Sequence, residues 1–190
     1  VSSIRLFILG TLDSEGPMHG HQLRLLAEEE RIHLWTDVSV GSLYGAIKRL
    51  ANEGLIVGLR SEREGSYPER VVYDITDAGR RALSTLRETG LSAVEFRNDP
   101  FDLAMARLDP DALDSLPHVL ETRLLALRSK LSEQEFLAQA AAPHLSRAET
   151  WVMQHRIDRL RAEVDSHERL LALLPDIIAD ELARKASHHD

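Results

Sequence analysis

Residues 38–83, VSVGSLYGAIKRLANEGLIVGLRSEREGSYPERVVYDITDAGRRAL, decide the fold. The spacing of Leu43, Ile47 and Leu50 predicts a short amphipathic helix that ends at Glu53-Gly54. A β-run, Leu55–Arg60, follows it, and a charged, turn-prone tip, Glu62–Pro68, leads into a second β-run, Val71–Ile75. Thr76-Asp77 then reads as the start of another helix. Helix, strand, hairpin tip, strand, helix is the order of a winged helix-turn-helix, in which one helix enters the DNA major groove.

Laid out at about 100° per residue, the first of these helices has two unlike faces. Leu43, Ile47 and Leu50, flanked by Ala46 and Ala51, form the core side. Gly41, Gly45, Lys48 and Asn52 lie opposite, with Ser42 and Arg49 on one shoulder and Tyr44 on the other. Ser39 is the expected N-cap. Small residues allow close approach, and a cation and an amide can reach phosphate or base edges. An ordinary solvated helix face has the same composition, so this helix alone leaves both readings open.

The details resemble the PadR family of bacterial transcriptional regulators. The residues that carry the resemblance are Gly41-Ser42-Leu43-Tyr44, Leu50, Glu53-Gly54-Leu55-Ile56, Pro68-Glu69-Arg70 with Tyr73, and Thr76 with Gly79-Arg80. The resemblance implies a mainly α chain with a small β-wing. An N-terminal winged helix-turn-helix over 1–98 would precede a C-terminal helical hairpin over 99–190. It implies contact with double-stranded DNA, a palindromic operator, through Gly20, His21, Ser39, Gly41, Ser42, Tyr44, Gly45, Lys48, Arg49, Arg63 and Arg70. Tyr44 is the position that the family sets against the DNA backbone. Two departures stand out. His21 replaces the usual Tyr, and the wing reads Gly65-Ser66-Tyr67-Pro68-Glu69-Arg70 where many members carry Gly-Arg-Pro-Arg. Glu69 would repel phosphate, and Glu62, Glu64 and Glu69 can instead pair with Arg63 and Arg70.

Upstream, Ile4, Phe7, Ile8 and Leu12 mark a first helix that Glu15-Gly16-Pro17 ends. Met18-His19-Gly20-His21-Gln22-Leu23 opens a second that runs to about Glu30, and Ile32–Val38, with Trp35, reads as an extended link. Thr76 should cap a helix reaching about Phe96. Asn98-Asp99-Pro100 and Asp109-Pro110 are paired cap-and-proline signals that bracket a short helix, Phe101–Leu108. This FDLAMARL segment resembles the link between the domains of longer PadR proteins, which puts the boundary at Arg97–Asp99.

Beyond it, two heptad-like seams appear: Leu113, Leu116, Leu120, Leu124, Leu127, Leu131, and Met153, Ile157, Leu160, Val164, His167, Leu171, Leu174. Ala140–Ser146 with Pro143 is the bend between them, Pro117 should kink or restart the first helix, and Pro175 should end or interrupt the second. The family dimerises through its C-terminal helices. The resemblance therefore implies a homodimer, assigned to Leu120, Leu124, Leu127, Leu131, Ile157, Leu160, Val164 and Leu171. Leu125, Arg128, Phe136, Leu170 and Leu173 lie partly off the seams as a second stripe. The family's phenolic or planar hydrophobic effectors suggest a pocket at Trp151 and Trp35. On helix geometry Trp151 falls opposite its own seam, where a partner surface would also cover it.

The net charge of −8 is unusual for a DNA binder, but phosphate needs only a local basic face. Residues 1–98 carry 12 Lys and Arg against 14 Asp and Glu, nearly balanced, so the acidity sits in the second half. Lys48, Arg49, Arg60, Arg63 and Arg70 supply the face. With no cysteine, disulfides and thiolate metal sites are excluded. His19, His21, His188 and His189 lack matched ligands, so neither metal nor cofactor is expected. His167 on a seam reads as a buried histidine. No phosphate loop, nucleophile elbow or HExxH pattern occurs, and an enzyme is not expected. No apolar run spans a membrane, and VSSIRLFIL lacks a basic flank and cleavage site, so a cytoplasmic location is expected. Val1 leaves at least an initiator Met to be expected before it. Two other classes stay open: a protein-interaction adaptor, and a small-molecule binder that no longer uses DNA.

Overall fold

The local signals at Gly54 and Thr76 fix the corner on which the first half of the chain is built. The computed structural model describes residues 2–32, 36–62, 70–94 and 98–187. Gly54 adopts a φ of +71°, a conformation open to glycine, just past the third helix. Its N–H donates to the Ala51 carbonyl and that of Leu55 to the Leu50 carbonyl, the bond pair of a Schellman cap. The Thr76 hydroxyl donates to the Gly54 and Leu55 carbonyls and accepts from the Gly79 N–H. One threonine thus starts a helix and ties it to the end of another.

The elements of this half are α1 (Ser3–Glu15), β1 (Met18–His19), α2 (Gly20–Glu29), α3 (Leu43–Asn52), β2 (Ile56–Glu62), β3 (Arg70–Ile75) and α4 (Asp77–Ser92). The sheet order is β1-β3-β2, antiparallel throughout. Ile56 pairs with Ile75 at the base of the wing, and the register shifts between Gly58 and Arg60, where Leu59 is the extra residue of a bulge. Only Ile56 of β2 is buried, so the rest of that strand projects into solvent. The core gathers Ile8, Leu9 and Leu12 of α1, Leu23 of α2, Leu43, Ile47 and Leu50 of α3, Ile56, Ile75, and Leu83 of α4. Each such side chain contributes about 1.5–3 kcal/mol by leaving water.

Several sequence expectations change here. Met18 and His19 do not begin the second helix but form a two-residue strand, pairing with Tyr73 and Val72. His19 then caps α2: its Nδ1 accepts from the Gln22 N–H, and the Gln22 amide oxygen accepts from the His19 N–H. Ser39 is not the side-chain cap of α3. A 3₁₀ turn, Val40–Ser42, comes first, and the Ser39 carbonyl accepts from both the N–H and the hydroxyl of Ser42. The helix after Thr76 ends at Ser92; Phe96 lies outside the described residues.

The chain divides into two units, Val1–Phe96 and Arg97–Asp190. The second contains α5 (Pro100–Met105), α6 (Leu116–Ala141) and α7 (Arg147–Ser187), with a 3₁₀ turn, Ala142–His144, between the long helices. The short helix is therefore shorter than Phe101–Leu108, since the Ala106 N–H already closes it on the Asp102 carbonyl. Pro117 sits in the first turn of α6, where a missing N–H costs nothing, so it starts the helix rather than kinking it. Pro175 does not end α7, which runs on to Ser187. Half-buried Ile177 and Ile178, and an ion pair from Lys185 to Asp111, give the last turns something to hold.

Leu113, Leu120 and Leu124 from one side, and Ile157, Val164, His167 and Leu174 from the other, are buried along the hairpin. Glu135–Arg161 at 2.8 Å and Arg128–Glu168 at 2.6 Å flank it. Buried His167 accepts from Arg123 Nε at 2.9 Å, and its Nδ1 faces the Glu163 carbonyl at 3.3 Å. Arg123 also reaches Asp99 and lies 4.2 Å from the centre of the Phe101 ring, which itself packs on His167. One guanidinium thus holds α5 to both long helices. The Phe101 N–H and then Arg123 keep the Asp99 carboxyl below its ordinary range. That contribution is present above the usual carboxylate pKa and is lost as acid protonates the group.

Candidate nucleic-acid interface

The face of α3 turned away from the core is polar, small and open. Leu43, Ala46, Ile47 and Leu50 are buried, while Gly41, Ser42, Tyr44, Gly45, Lys48, Arg49 and Asn52 are exposed. A methyl built on Gly41 would meet nothing within 4 Å, and one on Gly45 only the tip of Arg49. These glycines leave the helix flank bare for a close neighbour.

The cations there are not consumed internally. Lys48 and Arg49 form no ion pair among the described residues. Glu53 is the nearest carboxylate in sequence, and it is held by Arg5 through two hydrogen bonds of 2.9 and 2.6 Å. That fork lowers the Glu53 pKa and raises that of Arg5, with Arg49 adding a weaker attraction on Glu53. An exposed acid at the end of the candidate reading helix is thereby neutralised from α1, a role of Arg5 that no local sequence signal indicated.

Tyr44 is half-exposed, at 52%, and its hydroxyl has no partner among the described residues. Its ring lies against Gly20 in the first turn of α2, where a Cβ would stand 3.0 Å from Tyr44 Cε1. His21 is next in that turn, partly buried, with its ring 6.1 Å from that of His19 and nearly parallel. The structure therefore brings Gly20, His21 and Tyr44 together from two helices. In the wing, Arg60 is paired with Glu62 at 2.6 Å, and Arg70 lies at the start of β3 with a partner of its own. Arg63, and with it the tip 63–69, lies outside the described residues.

The second unit holds the remaining candidates. Trp151, at the start of the second turn of α7, is 65% exposed and stacks on His155 with ring centres 5.0 Å apart. Trp35 lies outside the described residues. An open groove of about 320 Å³ at the closed end of the hairpin is lined by Leu145, Met153, Ile157 and the Glu135–Arg161 pair, among others. Of the eight residues expected to join two chains, Leu120, Leu124, Ile157 and Val164 are buried, and Leu127, Leu131, Leu160 and Leu171 are half-buried. They pack the two helices of one chain on each other. The large apolar side chains that the hairpin leaves uncovered include Leu125 at 64%, Phe136 at 69% and Leu173 at 55% exposure. Among the described residues no helix is long and apolar enough to cross a membrane.

Residues 8–85 match the model of the transcriptional regulator PadR-like family. No curated protein matches the chain. Among solved structures it is similar to Bacillus subtilis PadR in complex with operator DNA, with a TM-score of 0.71 and 22% identity over 92% of this chain and 98% of that one. It is also similar to the same protein in complex with p-coumaric acid, at 0.68 and 20%, over 90% and 95% of the two chains. The PadR-like regulator BC1756 from Bacillus cereus gives 0.64 and 18%, over 91% and 98%. At these identities the likeness speaks to the fold.

Proposed function

We propose, for a chain that belongs through residues 8–85 to the PadR-like family of transcriptional regulators, that it binds a palindromic DNA operator as a homodimer and represses by occupying it. The carrying observation is the outer face of α3 and of the turn before it, where bare Gly41 and Gly45 adjoin Lys48 and a Tyr44 hydroxyl that have no partner among the described residues. A face with those properties suits the major groove and its phosphate rims. The similar fold solved with operator DNA supports the reading. The DNA-binding residues are Gly41, Ser42, Tyr44, Gly45, Lys48 and Arg49, with His21 and Arg70 on the phosphate rims. Residues 99–190 form the dimerisation and effector domain.

Two substitutions separate kinds of contact. Lys48→Ala removes a cation that displaces counterions, so operator affinity should fall and the salt slope should shrink by about one unit. Tyr44→Phe removes a neutral donor, so affinity should fall while the slope stays. Both variants should remain folded and dimeric. Binding is measured on a duplex that the wild-type chain selects from a random-sequence pool. If no duplex is enriched, the adaptor and ligand-binder readings gain; if one is enriched but both variants bind it like wild type, α3 is not the reader.

We further propose that the second unit takes a phenolic or planar hydrophobic effector with Trp151 at its site, and that occupancy releases DNA. An exposed indole stacked on an imidazole suits a flat ring, and the similar fold solved with p-coumaric acid supports that class of ligand. The chain has two tryptophans, so Trp151→Phe isolates the signal of Trp35. Titration with p-coumaric acid and with planar cationic dyes should change the fluorescence of wild type and leave that of Trp151→Phe unchanged. An equal change in both would move the site away from Trp151.

A further inference from the structure

We infer that Gly20 is a positioning residue for DNA binding: its missing side chain is the seat that holds the Tyr44 ring in reach of the DNA backbone. The inference rests on the proposed role of α3 and extends it to a residue that need not touch DNA itself.

Gly20 is held from both sides. Before it, Met18 and His19 are hydrogen-bonded into the sheet opposite Tyr73 and Val72. After it, the reciprocal His19–Gln22 cap closes the first turn of α2. The Gly20 backbone is therefore a fixed platform, and it does not need glycine for its own conformation, since its φ is not positive. The need comes from the neighbours. A Cβ at this position would lie 3.0 and 3.3 Å from Tyr44 Cε1 and Cδ1, and 3.2 Å from Ile47 Cδ1.

Which neighbour would yield follows from burial. Ile47 is 4% exposed and enclosed by the core, whereas Tyr44 is 52% exposed and can swing outward. The few tenths of an ångström that an alanine demands come most readily from the Tyr44 ring, while the 3.2 Å contact with Ile47 Cδ1 presses more weakly on the core. Because a phenol hydroxyl sits at the far end of its ring, a small tilt at Cδ1 and Cε1 is amplified there. A hydrogen bond to a phosphate oxygen tolerates little of that displacement. Glycine at residue 20 thus sets where a side chain 24 positions later places its donor.

The test is a double-mutant cycle on the selected duplex, with wild type, Gly20→Ala, Tyr44→Phe and the double variant. Gly20→Ala should lower affinity about as much as Tyr44→Phe does, on the order of five- to tenfold for one hydrogen bond, with the salt slope unchanged and the chain still folded at the temperature of the assay. In the double variant the losses should not add. With Lys48→Ala, which acts through a different contact, Gly20→Ala should be additive. In the free protein, the Gly20 Hα resonances should be displaced by the ring current of Tyr44 and return toward ordinary values in Tyr44→Leu. Additive losses with Tyr44→Phe, or wild-type affinity in Gly20→Ala, would overturn the inference while leaving α3 as the reader. Full affinity in Tyr44→Phe would overturn it as well, and Lys48→Ala then tells whether the reading of α3 falls with it.

Discussion

Gly79→Ala should be among the most damaging single substitutions in the first unit, costing about 3–5 kcal/mol by the overpacking and cap-loss mechanisms together. Gly79 is buried in the first turn of α4, and a Cβ there would lie 2.1 Å from the Leu55 carbonyl oxygen and 2.7 Å from Ile75 Cγ1. No rotamer relieves a clash with backbone. The carbonyl cannot retreat either, because it accepts from both the N–H and the hydroxyl of Thr76, each at 3.1 Å. Moving α4 outward would break those bonds, along with the 3.0 Å cap from Gly79 to Thr76. Gly54→Ala is the control. Gly54 has a positive φ but nothing within 4 Å of a new methyl, so only backbone strain of about 1 kcal/mol is expected. Urea midpoints should therefore separate the two alanines by several-fold in their displacement from wild type. Equal displacements would mean that the corner yields, and that the close approach of α4 to Leu55 is not required.

That corner also shows what the sequence could reveal. Gly54 and Thr76 were visible as a helix stop and a cap because those roles act within a few residues, and Gly79 as part of a family motif. The same local action marks the Asp99-Pro100 start of α5, where the Asp99 side chain accepts from the Phe101 N–H. Features made by distant partners were not visible. The bonds from Thr76 to Gly54 and Leu55, and the close approach of Gly79 to Leu55, join distant residues in this way. The strand at Met18–His19 has no alternation to detect and exists because β3 offers a free edge. Arg5 shielding Glu53, and Gly20 seating Tyr44, join residues 48 and 24 positions apart. Pro175 is a breaker by local rule, yet packing beyond it keeps α7 helical. The seams show a related limit. Periodicity reveals that Leu120, Leu124, Ile157 and Val164 need a partner but not which one, and the nearest partner in the chain is the other half of the hairpin.

The pair Leu125→Glu with Phe136→Glu should turn a dimer into a folded monomer that binds operator about 10²–10⁴-fold more weakly, the range lost when a second site is no longer tethered. The two residues are 11 positions apart on α6, three turns that bring them to nearly the same azimuth. Between them on that side stand Ser129 and Ser132, without charge, and at its edge Arg128, whose charge is held in the ion pair with Glu168. Large exposed side chains so arranged mark an interaction surface more often than a solvated face. Neither residue packs in its own hairpin, so the substitutions should leave the melting transition of the isolated chain near its original place. In a dimer, four carboxylates would instead be buried without partners, a cost that association cannot offset. A palindrome read by two α3 helices about one DNA turn apart needs both chains at once. Leu124→Ala makes the complementary test. Leu124 is 6% exposed within one chain, so its truncation should cost about 2.7–5 kcal/mol of stability by leaving a cavity, and any loss of dimer should follow unfolding. Sedimentation of the double-Glu variant as an intact dimer with unaltered operator binding would move the interface off this face of α6.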